Sequence, residues 1–181
     1  MKKWKIDPVH SEIKFKVKHL VVSNVTGQFK KFDGTIESSA DDFDGAKVSF
    51  EADVNSIDTN NEMRDGHLKS ADFFDAANHP KLLFVSKEFK KKSDSEYELT
   101  GDMTIRGITK EITLNVIYNG SAKGMDGSDI TAFEIYGKLN RFDFGLHWNA
   151  LTEAGGFAVG SEIKLEINTE MKQVHQLEKA A

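Results

Sequence analysis

The residues best suited to chemistry lie in one segment, 64–75, which carries an arginine, a histidine and several aspartates. Arg64 and His67 stand three residues apart, so on a helix their side chains project toward one region. There they can bind a polar or phosphorylated group, the arginine through charge-assisted hydrogen bonds. Arg64 can equally form an internal salt bridge with Asp65 or Asp72, in which case the segment only closes one end of the fold.

This segment has the signals of a helix in a chain that otherwise predicts β-strand. Thr59 and Glu62 have the spacing of a capping box, in which each side chain satisfies a free backbone N–H of the first turn. Pro80 returns the chain to extended geometry. Spacings of four, four and three place four residues on one face: Met63, His67, Ala71 and Phe74. We therefore expect one short helix over about 60–75.

The other chemistry-bearing residues form weak patterns. The six histidines are His10, His19, His67, His79, His147 and His175. No pair has the short spacing of a zinc site and the chain has no cysteine, so we predict neither a metal site nor a cofactor. No nucleophile elbow, paired catalytic carboxylates or phosphate-binding loop occurs, and Ser11 is only adjacent in sequence to His10. The sequence therefore predicts a protein that is not an enzyme.

Composition favours one folded domain with a substantial apolar core. The chain has 181 residues, among them 13 phenylalanines and only 2 prolines. Its 24 basic and 29 acidic residues give a net charge of −5, which disfavours nucleic acid as a partner. No apolar run approaches the roughly 18 residues of a membrane span, so we expect no membrane insertion. The N-terminus has no apolar signal region, so we expect a cytoplasmic protein as written, or a periplasmic or secreted one if the chain is a processed form.

Apolar and polar residues alternate with a period of two along most of the chain, as is typical of strands with one buried face. About eight strands are predicted, separated by turn signals such as Arg106 and Gly107, and the stretch 28–37 is predicted to be one strand with a bulge. Closure of eight strands removes exposed edges, although a sandwich is the competing architecture. We predict an all-β fold, an extended eight-stranded antiparallel lipocalin-like barrel over 4–170 with the helix near its mouth, followed by a tail over 171–181.

The inward-facing rows can line an apolar lumen. The predicted lumen residues are Ile13, Phe15, Val17, Phe29, Phe50, Ala52, Leu68, Phe73, Phe84, Leu99, Met103, Leu114, Phe133, Ile135, Phe144 and Leu165. An eight-stranded barrel is just wide enough either to be filled by such side chains or to hold one small ligand. Small residues at the inward positions Ala52 and Gly101 indicate open space. His19 continues an inward row and is predicted to be a buried, hydrogen-bonded imidazole.

Several motifs together resemble a known family. In chain order they are Trp4-x-Ile6-Asp7-Pro8-x-His10-Ser11, Phe15-x-Val17-x-His19-Leu20, Gly27-x-Phe29-x-x-Phe32-x-Gly34, Arg64-Asp65-x-His67-Leu68-x-Ser70-x-Asp72-Phe73-Phe74, Phe84-x-Ser86, Gly101-x-Met103-Thr104-Ile105-Arg106-Gly107-Ile108-Thr109-Lys110 and Arg141-x-Asp143-Phe144-Gly145. From about residue 4 to about 170 they resemble the YceI-like family. One departure is Gly160-Ser161-Glu162, where an Asp usually follows the Gly in that family. The resemblance implies a lipocalin-like barrel that binds long isoprenoid or acyl amphiphiles.

These observations predict the binding, sequestration or transport of a long-chain amphiphile of polyisoprenoid or fatty-acyl type. Arg64, His67, His19 and Arg141 are the candidates for contact with its head group. Two alternatives remain. One is a hydrolase or isomerase that uses His10, His67 and Arg64 in the same cavity. The other is a barrel filled by side chains, whose role is a surface interaction. A homodimer is expected.

Overall fold

Antiparallel strands make up most of the computed structural model, which describes residues 1–40 and 42–174. The strands are β1 Lys2–Ile6, β2 Glu12–His19, β3 Ser23–Phe29, β4 Phe32–Ser38, β5 Lys47–Asp53, β6 Ile57–Asp58, β7 Lys81–Lys91, β8 Glu96–Ile105, β9 Ile108–Lys123, β10 Asp129–Asn140 and β11 Val159–Val174. The helix α1 spans Glu62–Lys69, and single 3-10 turns lie at Val54–Ser56 and Arg141–Phe144. In the described residues no helix is long and apolar enough to cross a membrane.

Eight of the strands close into a ring in the order β1-β4-β5-β7-β8-β9-β10-β11, with β11 pairing back to β1. The sixteen-residue β11 serves two partners, because its last residues pair with β1 and its first part pairs with β2. The β2–β3 hairpin therefore extends the wall beyond β1, and β3 ends against β6. The predicted all-β, eight-stranded antiparallel barrel with one helix is confirmed.

Along the strands the apolar side chains point inward at every second residue, as the sequence predicts. In β8, Tyr97, Leu99 and Ile105 point inward and are buried. The strand ends at a two-residue turn in which Arg106 and Gly107 have φ of 49° and 73°. Both central residues of a type I′ hairpin turn need positive φ, which is the reason for the glycine. The predicted β8–β9 hairpin is confirmed.

Two local predictions differ from the structure. The stretch 28–37 is a corner between β3 and β4 instead of one bulged strand, because β3 pairs with β2 whereas β4 pairs with β1 and β5. The helix is also shorter than predicted. Asn61 caps it by accepting from the backbone N–H of Arg64 at 2.9 Å. The capping box is absent because Thr59 donates its hydroxyl to Asp65 at 2.5 Å.

The C-terminal boundary also differs. β11 continues to Val174, and Met171 to Val174 pair with Ile6 to Lys3, so the first four residues of the predicted tail lie in the barrel. The strand continues because Met171 is inward and buried, which extends the alternation of Leu165 and Ile167. The remainder, 175–181 with His175, lies outside the described residues.

The two ends of the barrel differ. At one end Phe43 inserts from the β4–β5 connection against Trp4, Tyr118 and Phe133, with ring centroids 5.7, 5.6 and 5.2 Å away. This end is filled by aromatic rings. At the other end lie α1, the β2–β3 turn and the long 141–158 connection, which surround the opening described next.

Candidate functional site

A cavity of about 720 Å³ runs inside the barrel from the α1 end to the aromatic plug. This volume lies within the roughly 300–1,000 Å³ that is usual for small-molecule sites. Fourteen of the predicted lumen residues line it: Ile13, Phe15, Val17, Phe29, Phe50, Leu68, Phe73, Phe84, Leu99, Met103, Leu114, Phe133, Ile135 and Leu165. The inward rows therefore leave space between them instead of meeting across the barrel.

Two predicted lumen residues, Ala52 in β5 and Phe144 in the 3-10 turn after β10, are buried but do not line the cavity. The prediction that small residues mark the open space is also wrong. A Cβ on Gly101 would lie 2.5 Å from the carbonyl oxygen of Val85 and 2.6 Å from the ring of Phe84. The small side chains at these positions allow neighbours to pack closely, and the space lies elsewhere in the barrel.

The open space is bordered instead by apolar residues that are only half-buried although they face inward. Leu139 on β10 and Ile163 and Ile167 on β11 are examples, and the period-two pattern could have identified all three. Trp148 also lines the cavity, but it lies in the irregular 141–158 connection, where no periodic signal exists. The sequence therefore reveals the lumen along the strands better than it reveals the mouth.

Arg64 lies at the mouth without the salt bridge that the sequence allows. Its Nε donates to Thr59 Oγ1 at 2.7 Å and its Nη2 to the Thr59 carbonyl at 2.6 Å. Asp65 accepts hydrogen bonds from the backbone N–H and the hydroxyl of Thr59, and Asp72 is hydrogen-bonded to His67. Among residues 1–40 and 42–174 the guanidinium has no carboxylate partner, and it borders the cavity. The internal-pair interpretation is wrong for the described part of the chain.

His67 borders the same mouth and is fixed by an acid and two aromatic rings. Its Nε2 lies 2.8 Å from Asp72 Oδ2. The imidazole packs edge-to-face on Trp148 at 4.6 Å and on Phe73 at 5.1 Å between ring centroids. Arg64 and His67 therefore reach one opening, with a cation beside an oriented imidazole.

His19 differs from the prediction. It is exposed at the end of β2, where it borders the cavity mouth, because the inward row ends at Val17 before the chain turns. Its backbone carbonyl accepts a hydrogen bond from the Ser23 hydroxyl at 3.2 Å. The ring is therefore not the buried imidazole that the alternation predicts.

Arg141 borders the cavity and is only 4% exposed. Four of its N–H groups donate to backbone carbonyls, at 2.8 Å to Gly160, 2.6 Å to Leu146, 2.8 Å to Trp148 and 3.2 Å to Val159. Burial lowers the pKa of its guanidinium from the usual value. Within residues 1–40 and 42–174, one N–H of the five has no hydrogen-bond partner and remains for a ligand, so the first role of this arginine is to hold the 146–148 loop onto β11.

A second polar cluster lies outside the cavity, where the β1–β2 connection meets β11. His10 Nδ1 lies 3.1 Å from Asp7 Oδ2 and 3.6 Å from Glu170 Oε1. These three ligand atoms lie within 4.8 Å of one another, a spacing that suits a metal ion. The ammonium of Lys172, 2.9 Å from Asp7, already supplies a positive charge there. Sequence spacing could not reveal this cluster, because Glu170 is far from His10 along the chain.

The cluster predicts a pH dependence of folding. The hydrogen bond from Lys172, followed by that from His10, holds the pKa of Asp7 well below its usual range. A lowered folded-state pKa stabilises the fold above the unfolded pKa of about 3.9, and this stabilisation is lost as the pH falls below that value. We expect Asp7→Asn to lower the free energy of unfolding at neutral pH and to flatten its decline below about pH 4, measured by urea denaturation across pH. An unchanged acid limb would contradict this assignment.

Comparisons with known proteins agree with the barrel and its cavity. The family model for the YceI-like domain matches residues 4–171. The chain belongs to the YceI-like family. Its curated relatives include a UPF0312 protein of Staphylococcus epidermidis, 41% identical over 171 residues that cover 94% of this chain and 97% of that one. A UPF0312 protein of Staphylococcus aureus has the same identity and coverage.

Three solved structures of similar fold differ in their sequence identity to this chain. The YCEI protein of Campylobacter jejuni is 32% identical, has a TM-score of 0.73 and covers 87% of this chain and 90% of that one. BcnA of Burkholderia cenocepacia has a TM-score of 0.79 at 21% identity, over 91% and 98% of the two chains. A polyisoprenoid binding domain from Saccharophagus degradans has a TM-score of 0.67 at 13% identity, over 94% and 98%. The last two show the shared fold alone.

Proposed function

We propose that this protein binds a long-chain amphiphile of polyisoprenoid or fatty-acyl type in the barrel cavity, in order to sequester or transport it. The observation that carries the proposal is a cavity of about 720 Å³ with an apolar wall and polar groups mainly at one end. Each buried methylene contributes about 0.8 kcal/mol, so about ten buried carbons supply roughly 8 kcal/mol before ordering costs. A ligand with one long apolar tail and one polar end matches this distribution.

Membership of the YceI-like family supports a binding role. One protein of similar fold is described as a polyisoprenoid binding domain, which favours a lipid over another apolar ligand. A hydrolase or isomerase that uses His10, His67 and Arg64 together receives less support, because His10 does not border the cavity. The homodimer remains a prediction.

Extraction of the purified protein tests the proposal directly. Organic extraction followed by mass spectrometry is expected to release a long-chain lipid, and the delipidated protein is expected to bind a fluorescent isoprenoid or fatty-acyl probe at micromolar concentration. Denatured protein from the same preparation is the matched control for lipid carried over non-specifically. An empty extract together with no probe binding would contradict the proposal, and turnover of the released lipid would favour the enzyme.

The head group of the ligand is proposed to lie against Arg64 and His67. Arg64→Ala is expected to weaken binding of a carboxylate-headed probe by up to about ten-fold, since a charge-assisted hydrogen bond contributes roughly 1.5–3 kcal/mol and this one is partly exposed. Titration calorimetry measures the loss, and His67→Ala is expected to act in the same direction.

The control is a probe of equal length that ends in a neutral alcohol, whose binding is expected to change little. Thr59→Val is the matched variant, because it removes one hydrogen bond to Arg64 while it keeps the charge. Equal losses for the charged and neutral probes would mean that α1 only closes the barrel.

A further inference from the structure

Exposed apolar side chains cluster around the cavity mouth. In the β2–β3 turn Val21 is 76% and Val22 is 85% exposed. Beside them, in the 141–158 connection, Leu151 is 74% and Phe157 is 60% exposed. The two loops are joined, because Leu20 N–H donates to the carbonyl of Ala158 at 2.8 Å. Within the 141–158 connection, Leu151 pairs with Phe157 in a β-bridge. Their apolar residues (Leu20, Val21, Val22, Leu151 and Phe157) form the apolar rim.

The β2–β3 turn keeps this apolar sequence at a conformational cost. Leu20 has φ of 51° and Val21 has φ of 66°. A β-branched residue strongly disfavours positive φ, whereas glycine or asparagine would adopt it easily. A turn selected for stability alone would use those residues and would be polar. The turn therefore combines strain with exposure, which is a combination that indicates a role in binding.

Lysines cover the outer wall next to this rim. Lys16, Lys164 and Lys138 lie directly opposite one another across β2, β11 and β10, an arrangement that opposes folding because like charges face each other. Glu166 and Glu162 neutralise Lys16 and Lys138. Lys18 and Lys164 are exposed, and neither has an ion-pair partner within residues 1–40 and 42–174. Lys16, Lys18, Lys138 and Lys164 form the basic wall, although the whole chain has a net charge of −5.

The rim and the wall meet at the opening of the cavity. Lys18 lies two residues before the first left-handed residue of the turn, and both Lys18 and its neighbour His19 border the cavity. Trp148 and Ala158 of the 141–158 connection and Val159 at the start of β11 also line the cavity. A surface that covered the rim would therefore face directly into the cavity.

We propose that the apolar rim and the basic wall form a peripheral docking surface for a bilayer that contains anionic phospholipids. The apolar side chains would enter the interface between head groups and acyl chains, while Lys18 and Lys164 would lie near the phosphates. A second copy of this chain fits the surface less well, since a symmetric contact would bring two basic walls together. The proposal goes beyond the proposed function, because docking can be measured whether or not the cavity holds a lipid.

Vesicle sedimentation of the full chain tests the docking. We expect stronger binding to vesicles of equimolar phosphatidylcholine and phosphatidylglycerol than to phosphatidylcholine alone, and the difference should decrease with added salt. The double variant Val21→Asn/Val22→Ser should lose about ten-fold in affinity. Asparagine tolerates positive φ, so this variant should be no less stable than the parent. Lys18→Gln/Lys164→Gln should lose about 30-fold on anionic vesicles only, because each lysine near the surface contributes roughly 1 kcal/mol.

Two matched controls come from the opposite end of the barrel. Met125→Ser removes a fully exposed apolar side chain from the β9–β10 loop, and Lys47→Gln removes an exposed lysine from β5. Both are expected to bind vesicles as the parent does. The proposal is overturned if the parent protein binds neither kind of vesicle, or if the rim variant binds vesicles as well as the parent does. It is also overturned if sedimentation velocity shows that the parent is a dimer and the rim variant a monomer. Vesicle binding by a protein that yields no extracted lipid would leave the docking intact and contradict only the proposed cargo.

Discussion

Ile135→Trp is expected to weaken binding of a long-chain probe by about 100-fold and to change the free energy of unfolding little. Ile135 lies on β10 within the closed wall, borders the cavity and is only half-buried because space lies in front of it. The larger ring can enter that space. If it displaces about four methylenes of a bound tail, about 3 kcal/mol of binding free energy is lost, which corresponds to roughly 100-fold.

Ala52→Phe is the matched variant at a buried site in the same barrel. Ala52 is 1% exposed and does not border the cavity, so the added ring has no space to occupy. Overpacking of this kind costs about 1–3 kcal/mol of stability. Urea denaturation and probe titration of both variants separate the two effects. If Ile135→Trp destabilises the delipidated protein as strongly as Ala52→Phe does, the cavity is closed by side chains in solution.

The strands and the lumen could be predicted because a strand repeats every two residues and each inward position reports on the same face. Phe15, Leu99 and Leu114 needed no more than this alternation to be placed on the cavity. Ala52 was misplaced because alternation gives only the direction of a side chain. Whether an inward position faces a neighbour or empty space depends on register and closure, which are long-range properties.

The mouth was harder to predict because its contacts join residues that are distant in sequence or lie in irregular loops. The partner of the Arg64 side chain is Thr59 and not an aspartate. Thr59 is available for this contact because Asn61, and not Thr59, caps the helix. Trp148 packs on His67 from a connection that has no periodicity. Helix length was overestimated for a related reason, because the backbone after Lys69 folds into successive turns that bury Phe73 and Ala76.

Arg141→Met is expected to lower the free energy of unfolding by about 3–5 kcal/mol. This is the largest loss of stability that we expect from the substitution of one buried polar residue. The guanidinium satisfies four backbone carbonyls from two segments, Leu146 and Trp148 on one side and Val159 and Gly160 on the other. Methionine fills much of the volume but donates nothing, and each unpaired buried acceptor costs about 1–3 kcal/mol unless water reaches it.

Urea denaturation measures this loss, and Trp148 fluorescence reports whether the loop moves away from β11. Arg64→Met is the matched control, because that arginine is exposed and, within residues 1–40 and 42–174, its side chain donates hydrogen bonds to Thr59 alone. Its loss is expected to stay below about 1 kcal/mol. Comparable losses in the two variants would contradict the structural role assigned to Arg141.

Arg141→Lys distinguishes the structural role from contact with a ligand head group. Lysine keeps the positive charge but has three donors on one nitrogen, so it cannot reach carbonyls on both segments with the planar geometry of arginine. If Arg141 chiefly joins the loop to β11, this variant should lose much of the stability that Arg141→Met loses, and the affinities for carboxylate-headed and alcohol-headed probes should fall together. If stability is retained while only the carboxylate-headed probe binds less well, the remaining N–H of Arg141 contacts the head group, and the mouth then presents two arginines to the ligand.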